Sequence, residues 1–348
     1  MSAFYKVNIQ EIQQETANAV SVSFNIPENL KSNFNFKSGQ YITLQKEING
    51  SAIRRAYSIC SAPQSGDIRV AIKAVENGKF STYATSLLKV GDEIEITAPE
   101  GRFLLNPEAN KNYIGFAAGS GITPILSMIK TVLETEASAT FTLVYGNKSE
   151  ADTMFHSELN TLKASFSDRF NLHYIFSREN VKNELRGRID ENVTNYFVKN
   201  MYKETSFDQA FLCGPEEMIH EVSKTLENNK ITKENIHFEL FTATVDEEAA
   251  SEVKEGTTEI TVLLDDEKTT FTMEQTDNIL AASLRKNIDA PYSCQGGVCS
   301  SCLGKITEGK AVMVKNSILT DSEIEEGLVL TCQAYPTTPK VIIDFDDV

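Results

Sequence analysis

Four cysteines near the C-terminus constrain this chain more than any other feature. They read Cys294-x4-Cys299-x2-Cys302, then 29 residues, then Cys332, within the segments PYSCQGGVCSSC and LTCQAYP. Gly296 and Gly297 let the first loop fold tightly and aim backbone N–H groups inward, which a negatively charged cluster needs at its sulfurs. An x4/x2 spacing with a distant fourth thiolate is the ligand pattern of a 2Fe–2S centre. A tetrahedral zinc site usually brings two CxxC or CxxC/HxxxH pairs, whereas this segment has one CxxC and no nearby histidine. Disulfides are not expected, since the opening MSAFYKVNIQEIQQET lacks the basic and apolar regions of a secretory signal.

At 348 residues the chain has room for two or three domains. Acids outnumber bases 49 to 33, a net charge of −16. The average field therefore repels phosphate, and nucleic acid is a poor partner. No run of 18 apolar residues is present to span a bilayer. A soluble, cytoplasmic protein is expected.

Domain boundaries follow from changes of pattern. Residues 1–107 carry short strand candidates (YITLQ, IRRAYSIC, IRVAIKAV, EIEITA) broken by SGQ, PQSGD, ENGK and VGD, which suggests an antiparallel β-barrel. Across 108–241 strands alternate with helices: YIGFAA, PILSMIKTVLET, FTLVYG, SELNTLKASF, NLHYIFS, QAFLCG and PEEMIHEVSKTLENN, the pattern of a parallel α/β sheet. Residues 242–256, TATVDEEAASEVKEG, are small and acidic without apolar periodicity and are expected to form an exposed linker. Residues 257–348 form a separate C-terminal domain. Bases and acids number 25 and 29 in 1–241, 1 and 5 in the linker, and 7 and 15 in 257–348, so half the net charge (−8 of −16) sits on the last domain. Such a surface would steer the module toward a basic docking face.

The C-terminal segment, with EITVLLDDEKTTFTMEQTDNILAASLRKNI reading as a hairpin and then a helix, resembles the plant-type ferredoxins, which implies a β-grasp domain. Such a cluster passes one electron at a time, while a nicotinamide gives up a hydride, so a flavin is expected between them. In Arg55-Ala56-Tyr57-Ser58 an arginine can meet a diphosphate bidentately, and a tyrosine two residues on, facing the same side of a strand, can lie on a flavin ring. Gly78-Lys79-Phe80-Ser81-Thr82 opens a helix whose N-terminus suits a pyrophosphate. PEGRF follows at 99–103. RxYS, GxxS and PxGxF in this order resemble the ferredoxin–NADP reductase superfamily. The resemblance implies FAD and a flavin-side set of Arg55, Tyr57, Ser58, Lys73, Gly78, Phe80, Ser81 and Thr82.

Gly119-Ser120-Gly121-Ile122-Thr123-Pro124 lies between a strand and a helix, where glycines let a dinucleotide approach the backbone. It is the GxGxTP form of that superfamily. Cys213-Gly214-Pro215 matches its CGP turn, which implies that Cys213 lies beside the nicotinamide. Glu239 and Phe241, in FELF, match an acid and an aromatic near the flavin edge, with Phe241 the candidate to cover the ring. Ser58, Cys213 and Glu239 are thus the expected catalytic residues. Ser177 and Arg178 end the strand NLHYIFS as a pair suited to a 2′-phosphate, with Lys148 and Arg188 as further cations, so NADPH is expected over NADH. Glu179, which follows directly, is the kind of group that would instead favour a ribose diol.

The order barrel, nucleotide domain, ferredoxin resembles the reductase components of oxygenase systems. YGN, GRID, CGPEEMI, PYSCQGGVCSSC, LTCQAYP and the closing VIIDFDDV are most similar to the reductase subunits of phenylacetyl-CoA epoxidases, which implies a di-iron oxygenase as electron acceptor. Another oxygenase or desaturase, a general NADPH–ferredoxin-type reductase, and a non-catalytic electron carrier or redox sensor remain the alternatives.

Overall fold

The computed structural model describes residues 3–348. The chain divides into two compact units, Ala3–Phe241 and Thr242–Val348.

The first unit opens with six antiparallel strands: β1 (Phe4–Thr16), β2 (Ala19–Asn25), β3 (Tyr41–Ile48), β4 (Ser51–Ser58), β5 (Arg69–Lys73) and β6 (Glu93–Thr97), in the order β4-β3-β6-β1-β2-β5. Alternate residues point to one face. Accordingly Val7 and Ile9, Val20, Val22 and Phe24, Ile42 and Leu44, Val70 and Ile72, and Ile94 and Ile96 share one core. An Ile59–Val70 bridge and a Cys60 N–H donated to Arg69 O at 2.8 Å join the two outermost strands. The sheet thereby closes into a barrel and loses its free edges. Helix α1 (Lys79–Ser86) seals it by inserting Phe80 and Ala84, one helical turn apart, with Leu88 just beyond.

A parallel sheet follows, built of β7 (Asn112–Ala118), β8 (Thr140–Asn147), β9 (Phe170–Phe176), β10 (Leu185–Arg186), β11 (Gln209–Cys213) and β12 (Ile236–Glu239), in the order β10-β9-β8-β7-β11-β12. Its helices are α2 (Ile122–Thr135), α3 (His156–Ser165), α4 (Glu191–Asn195) and α5 (Glu216–Asn228). Strands covered on both faces need continuous apolar runs, which explains YIGFAA and FTLVY. The chain moves outward from β7 to β10, then returns to the other side of β7 for β11 and β12. A crevice therefore opens at the carboxyl ends of β7 and β11, where dinucleotides bind in such sheets.

Helix α2 also grips the barrel. Ser127 Oγ donates to Ser61 O at 2.6 Å, and Lys130 Nζ to Cys60 O at 3.2 Å. Lys130 is held in turn by Glu158 at 2.5 Å. Cys60 is a buried thiol at this seam, and burial pushes its pKa up to about 12. On another side Glu15, paired with Arg69 at 3.4 Å, accepts from Phe155 N–H at 3.2 Å.

The second unit is a β-grasp domain. Strands β13 (Thr257–Leu264), β14 (Glu267–Glu274), β15 (Leu303–Glu308), β17 (Leu328–Leu330) and β19 (Lys340–Asp344) form a mixed sheet in the order β14-β13-β19-β15-β17, with β13 and β19 parallel. Helix α7 (Ile279–Arg285) buries Ile279, Leu280 and Ala282 in the core that holds Ile260, Val262, Val341 and Ile343. A second small ladder joins β16 (Ala311–Met313) and β18 (Ala334–Pro336), and helix α8 (Asp321–Glu325) precedes β17.

The acidic linker differs from the sequence expectation. Glu247–Glu252 form helix α6, capped by Asp246, whose carboxylate accepts from Ala249 N–H at 3.0 Å. Asp246 N–H also donates to Val314 O at 2.8 Å. An acid at an N-cap and two more in the first turn complement the helix dipole, so the same charges that read as linker also start a helix.

Candidate functional site

The site begins where two distant segments meet. Ser58, the last residue of β4, donates from Oγ to Glu239 Oε2 at 3.0 Å across 181 residues of sequence. Parallel pairing sets Cys213 opposite Glu239 on one side and Ala117 on the other. Burial raises the Glu239 carboxyl to about 7, with the Ser58 hydrogen bond opposing it. Burial, and then the nearby Glu239, push the Cys213 thiol well up, so it is neutral and not a nucleophile. The three residues expected to be catalytic thus sit together.

Steric demands fix the loops around them. A Cβ on Gly121 would lie 2.0 Å from Cys213 O, and one on Gly214 would lie 2.6 Å from Met218 Cε. The GSG turn after β7 and the CGP turn after β11 are pressed together only because both positions lack side chains. Tyr145 OH donates to Gly119 O at 2.9 Å, and Thr123 Oγ1 to Ser120 O at 3.1 Å, which hold the first turn. Pro124 falls in the first turn of α2, where no intrahelical N–H is lost. Pro215 occupies the N-cap of α5.

On the barrel, Arg55 and Tyr57 are half-buried on one face of β4, while Ser58 turns inward. Helix α1 starts at Gly78 with no side-chain cap, leaving its first N–H groups open to an anion. Thr82 is exposed in that first turn. Two members of the expected set sit deeper. Phe80 is fully buried, its ring 5.8 Å from that of Tyr57, and Ser81 Oγ accepts from Val75 N–H at 3.3 Å. Their contacts support Tyr57 and the loop before α1. Lys73 is half-buried at the end of β5, and burial lowers its pKa. Phe241 is 38% exposed just beyond β12.

At the far end of the crevice Ser177 donates both N–H (2.9 Å) and Oγ (3.3 Å) to Asn147 O, and Arg178 N–H donates to Lys148 O at 2.9 Å. Arg178, Lys148 and Arg188 are all exposed. Glu179 is turned elsewhere, for its carboxylate accepts from Glu150 N–H at 2.8 Å. Sequence reasoning had no signal for Asn147 Nδ2, a buried donor with no acceptor. His173 packs at a tilt against Phe197, with burial lowering it to about 4, and His237 stacks on Phe211.

In the second unit the four cysteines form two thiol pairs. Cys299 Sγ donates to Cys294 Sγ at 3.1 Å, and Cys302 hydrogen-bonds Cys332. Cys294 is lowered to about 6, chiefly by Cys299 and then by the N–H groups of Gly296, Val298 and Cys299, against burial. Cys332 is lowered by Cys302, with help from the Gly297 N–H and the Gln333 side chain. Gln295 and Gly297 both have positive φ (55° and 75°), which turns successive N–H groups inward. Among the described residues no group of three or more His, Cys, Asp or Glu surrounds a single ion point. Two pairs of thiols facing a nest of amides fit a two-iron cluster, with two thiolates for each iron, better than a mononuclear ion.

A closed barrel with an uncapped helix, a parallel sheet with a glycine-lined crevice, and a four-thiol loop define an oxidoreductase that couples flavin, nicotinamide and iron–sulfur chemistry. Three family profiles agree: an oxidoreductase FAD-binding domain over 6–104, an oxidoreductase NAD-binding domain over 116–224, and a 2Fe-2S iron-sulfur cluster binding domain over 262–337. The chain is 36% identical over 351 residues to a component of the 1,2-phenylacetyl-CoA epoxidase of Escherichia coli (strain K12), covering 99% of each chain, and it belongs to the family of that component. It is also 29% identical to the ferredoxin reductase component of 3-ketosteroid-9-alpha-monooxygenase from Rhodococcus rhodochrous, over 97% of this chain and 96% of that one. Among solved structures, phthalate dioxygenase reductase shares the fold with a TM-score of 0.65 and 23% identity, over 99% and 98% of the two chains. No helix among the described residues is long and apolar enough to cross a membrane.

Proposed function

We propose that this chain is the reductase component of an oxygenase system, taking a hydride from NADPH and delivering electrons singly to a separate di-iron oxygenase that acts on phenylacetyl-CoA. The Ser58–Glu239 hydrogen bond carries this reading, because it joins the flavin-side strand to the nicotinamide-side sheet beside Cys213. When bound, FAD converts a two-electron donor into a one-electron source and the 2Fe–2S cluster carries those electrons onward.

Arg55 and the open N–H groups of α1, with Gly78 and Thr82 at its start, would hold the FAD diphosphate. Tyr57, braced by Phe80, and Phe241 would flank the ring, and Ser81 fixes the loop. Ser58, Cys213 and Glu239 would orient the nicotinamide; Glu239, with a pKa near neutrality, can hold or release a proton at the flavin edge. Gly119, Ser120, Gly121 and Thr123, with Gly214 and Pro215, would line the dinucleotide crevice, and Lys73, at the end of β5, would add a cation on the flavin side. Ser177 and Arg178, with Lys148 and Arg188, would take the 2′-phosphate, and the engagement of Glu179 by Glu150 N–H removes the carboxylate that would favour NADH. Cys294, Cys299, Cys302 and Cys332 would ligate the cluster. We place the protein in the cytoplasm, whose reducing conditions keep cluster-ligating thiolates available.

Steady-state reduction of cytochrome c should show a higher kcat/KM with NADPH than with NADH, and Arg178→Ala should raise KM for NADPH alone, about tenfold for a lost charge-assisted contact of about 1.5 kcal/mol. A preference for NADH would reverse the nucleotide assignment. Reconstitution with a phenylacetyl-CoA epoxidase oxygenase component should give NADPH-dependent turnover of phenylacetyl-CoA. Turnover only with a Rieske oxygenase would overturn the partner.

A further inference from the structure

Asn147 ends β8 and sits between the two regions assigned to the dinucleotide. Its backbone oxygen accepts both hydrogen bonds of Ser177, on the side given to the 2′-phosphate. Two residues earlier, and so on the same face of β8, Tyr145 hydrogen-bonds Gly119 O in the GSG turn. A nucleotide stretching from Cys213 to Ser177 along the carboxyl ends of β11, β7, β8 and β9 must pass over this residue.

The side chain is in an unusual state. Asn147 is 9% exposed, and its Nδ2 is shielded from solvent with no hydrogen-bond acceptor. Burial raises the pKa of the Tyr145 hydroxyl and the Asn147 amide beside it only partly offsets that; the contact falls short of hydrogen-bond geometry, and the hydroxyl donates its own proton to Gly119 O. A buried donor left unpaired costs about 1–3 kcal/mol, and such groups are rare enough in folded proteins to need a reason. The terminal torsion of asparagine is broad, so turning the amide outward costs little. Beside it, a Cβ on Gly119 would meet nothing within 4 Å, so the turn leaves open space where an acceptor could enter.

We propose that Asn147 is a binding residue for the dinucleotide, its buried amide turning to donate to a phosphate or ribose oxygen lying over the end of β8. The inference rests on the nicotinamide reading above. A wild-type protein that binds no dinucleotide would sink that reading, whereas equal binding by wild type and variants would sink this inference alone.

The test uses the full-length holoprotein and calorimetric titration with NADP+, alongside 2′,5′-ADP. Asn147→Ala and the similarly sized, apolar Asn147→Leu should each weaken NADP+ binding about 5- to 50-fold while the Tm of the free protein is unchanged or higher, because an unpaired buried donor has gone. Loss for NADP+ but not for 2′,5′-ADP places the acceptor on the nicotinamide-side phosphate or ribose; loss for both places it on the adenosine side, the 5′-phosphate included. Unchanged affinity in both variants, or weakening that tracks a lowered Tm, would reduce Asn147 to a packing residue and overturn the proposal.

Discussion

Single residues set the chemistry here through burial. Glu239 looks like any surface acid in the sequence, yet its environment lifts it to about 7. The sign follows from linkage: a carboxyl whose folded pKa exceeds its unfolded value near 4.5 stabilises the fold most below that value. That contribution is lost as pH rises through about 7. The Tm of the holoprotein should therefore carry a falling component between about pH 4.5 and 7 that Glu239→Gln removes, and hydride transfer should show an apparent pKa near 7 that the same variant abolishes. A Glu239→Gln protein with wild-type pH profiles in both measurements would show that another group titrates. Cys213 was legible from the CGP turn, but its place beside Glu239 comes from strand pairing. Asn147 closes the YGN segment, but the state of its amide was invisible, because an unpaired donor is a property of surroundings and has no sequence mark.

At the scale of elements, glycines that look alike in the sequence separate sharply. In GSG, Gly121 faces Cys213 O at 2.0 Å, while Gly119 faces open space at φ 55°. Gly121→Ala should abolish NADP+ binding and lower Tm by several degrees, since backbone must move. Gly119→Ala should cost only about 1–2 kcal/mol for its left-handed backbone. In the cysteine loop, a Cβ on Gly297 would lie 2.9 Å from Lys315 O, whereas Gly296 has only Cys294 O, at 3.8 Å. The sequence suggested that both served the loop equally; packing demands only Gly297. Gly297→Ala should lower the cluster content read from visible absorbance, and Gly296→Ala should leave it near wild type; the reverse order would refute this assignment. The strands and helices themselves were largely readable, because β7 and β8 are long apolar runs and α2 and α5 repeat apolar residues every three or four positions.

For the whole molecule, the instructive departure is the acidic segment between the units. Fifteen small and charged residues read as a free tether of roughly 20 Å r.m.s.. In the structure Asp246 bonds Val314 and caps α6, so the segment from Asp246 onward is tied to its own domain. Elastase, which cuts after small residues, should cleave after the exposed Val245 and spare Ala249 and Ala250, giving fragments divided at residue 245 by mass spectrometry. Cleavage at Ala249 and Ala250 at an equal rate would mean that α6 does not form. Half the net charge still lies on the C-terminal domain, the half that carries the cluster, as the composition alone indicated.

The sequence by itself determined the classes of chemistry and the three-part order, because thiolate spacing, glycine turns and apolar periodicity are local and survive in a linear reading. Tertiary structure alone decided which groups meet. Ser58 touches Glu239 across 181 residues, α2 clamps the barrel through Cys60 and Ser61, and Cys302 meets Cys332 from the far side of the domain sequence. Each of these rests on contacts between segments distant in the chain or on the burial of a polar group, and neither is encoded in any one stretch of sequence.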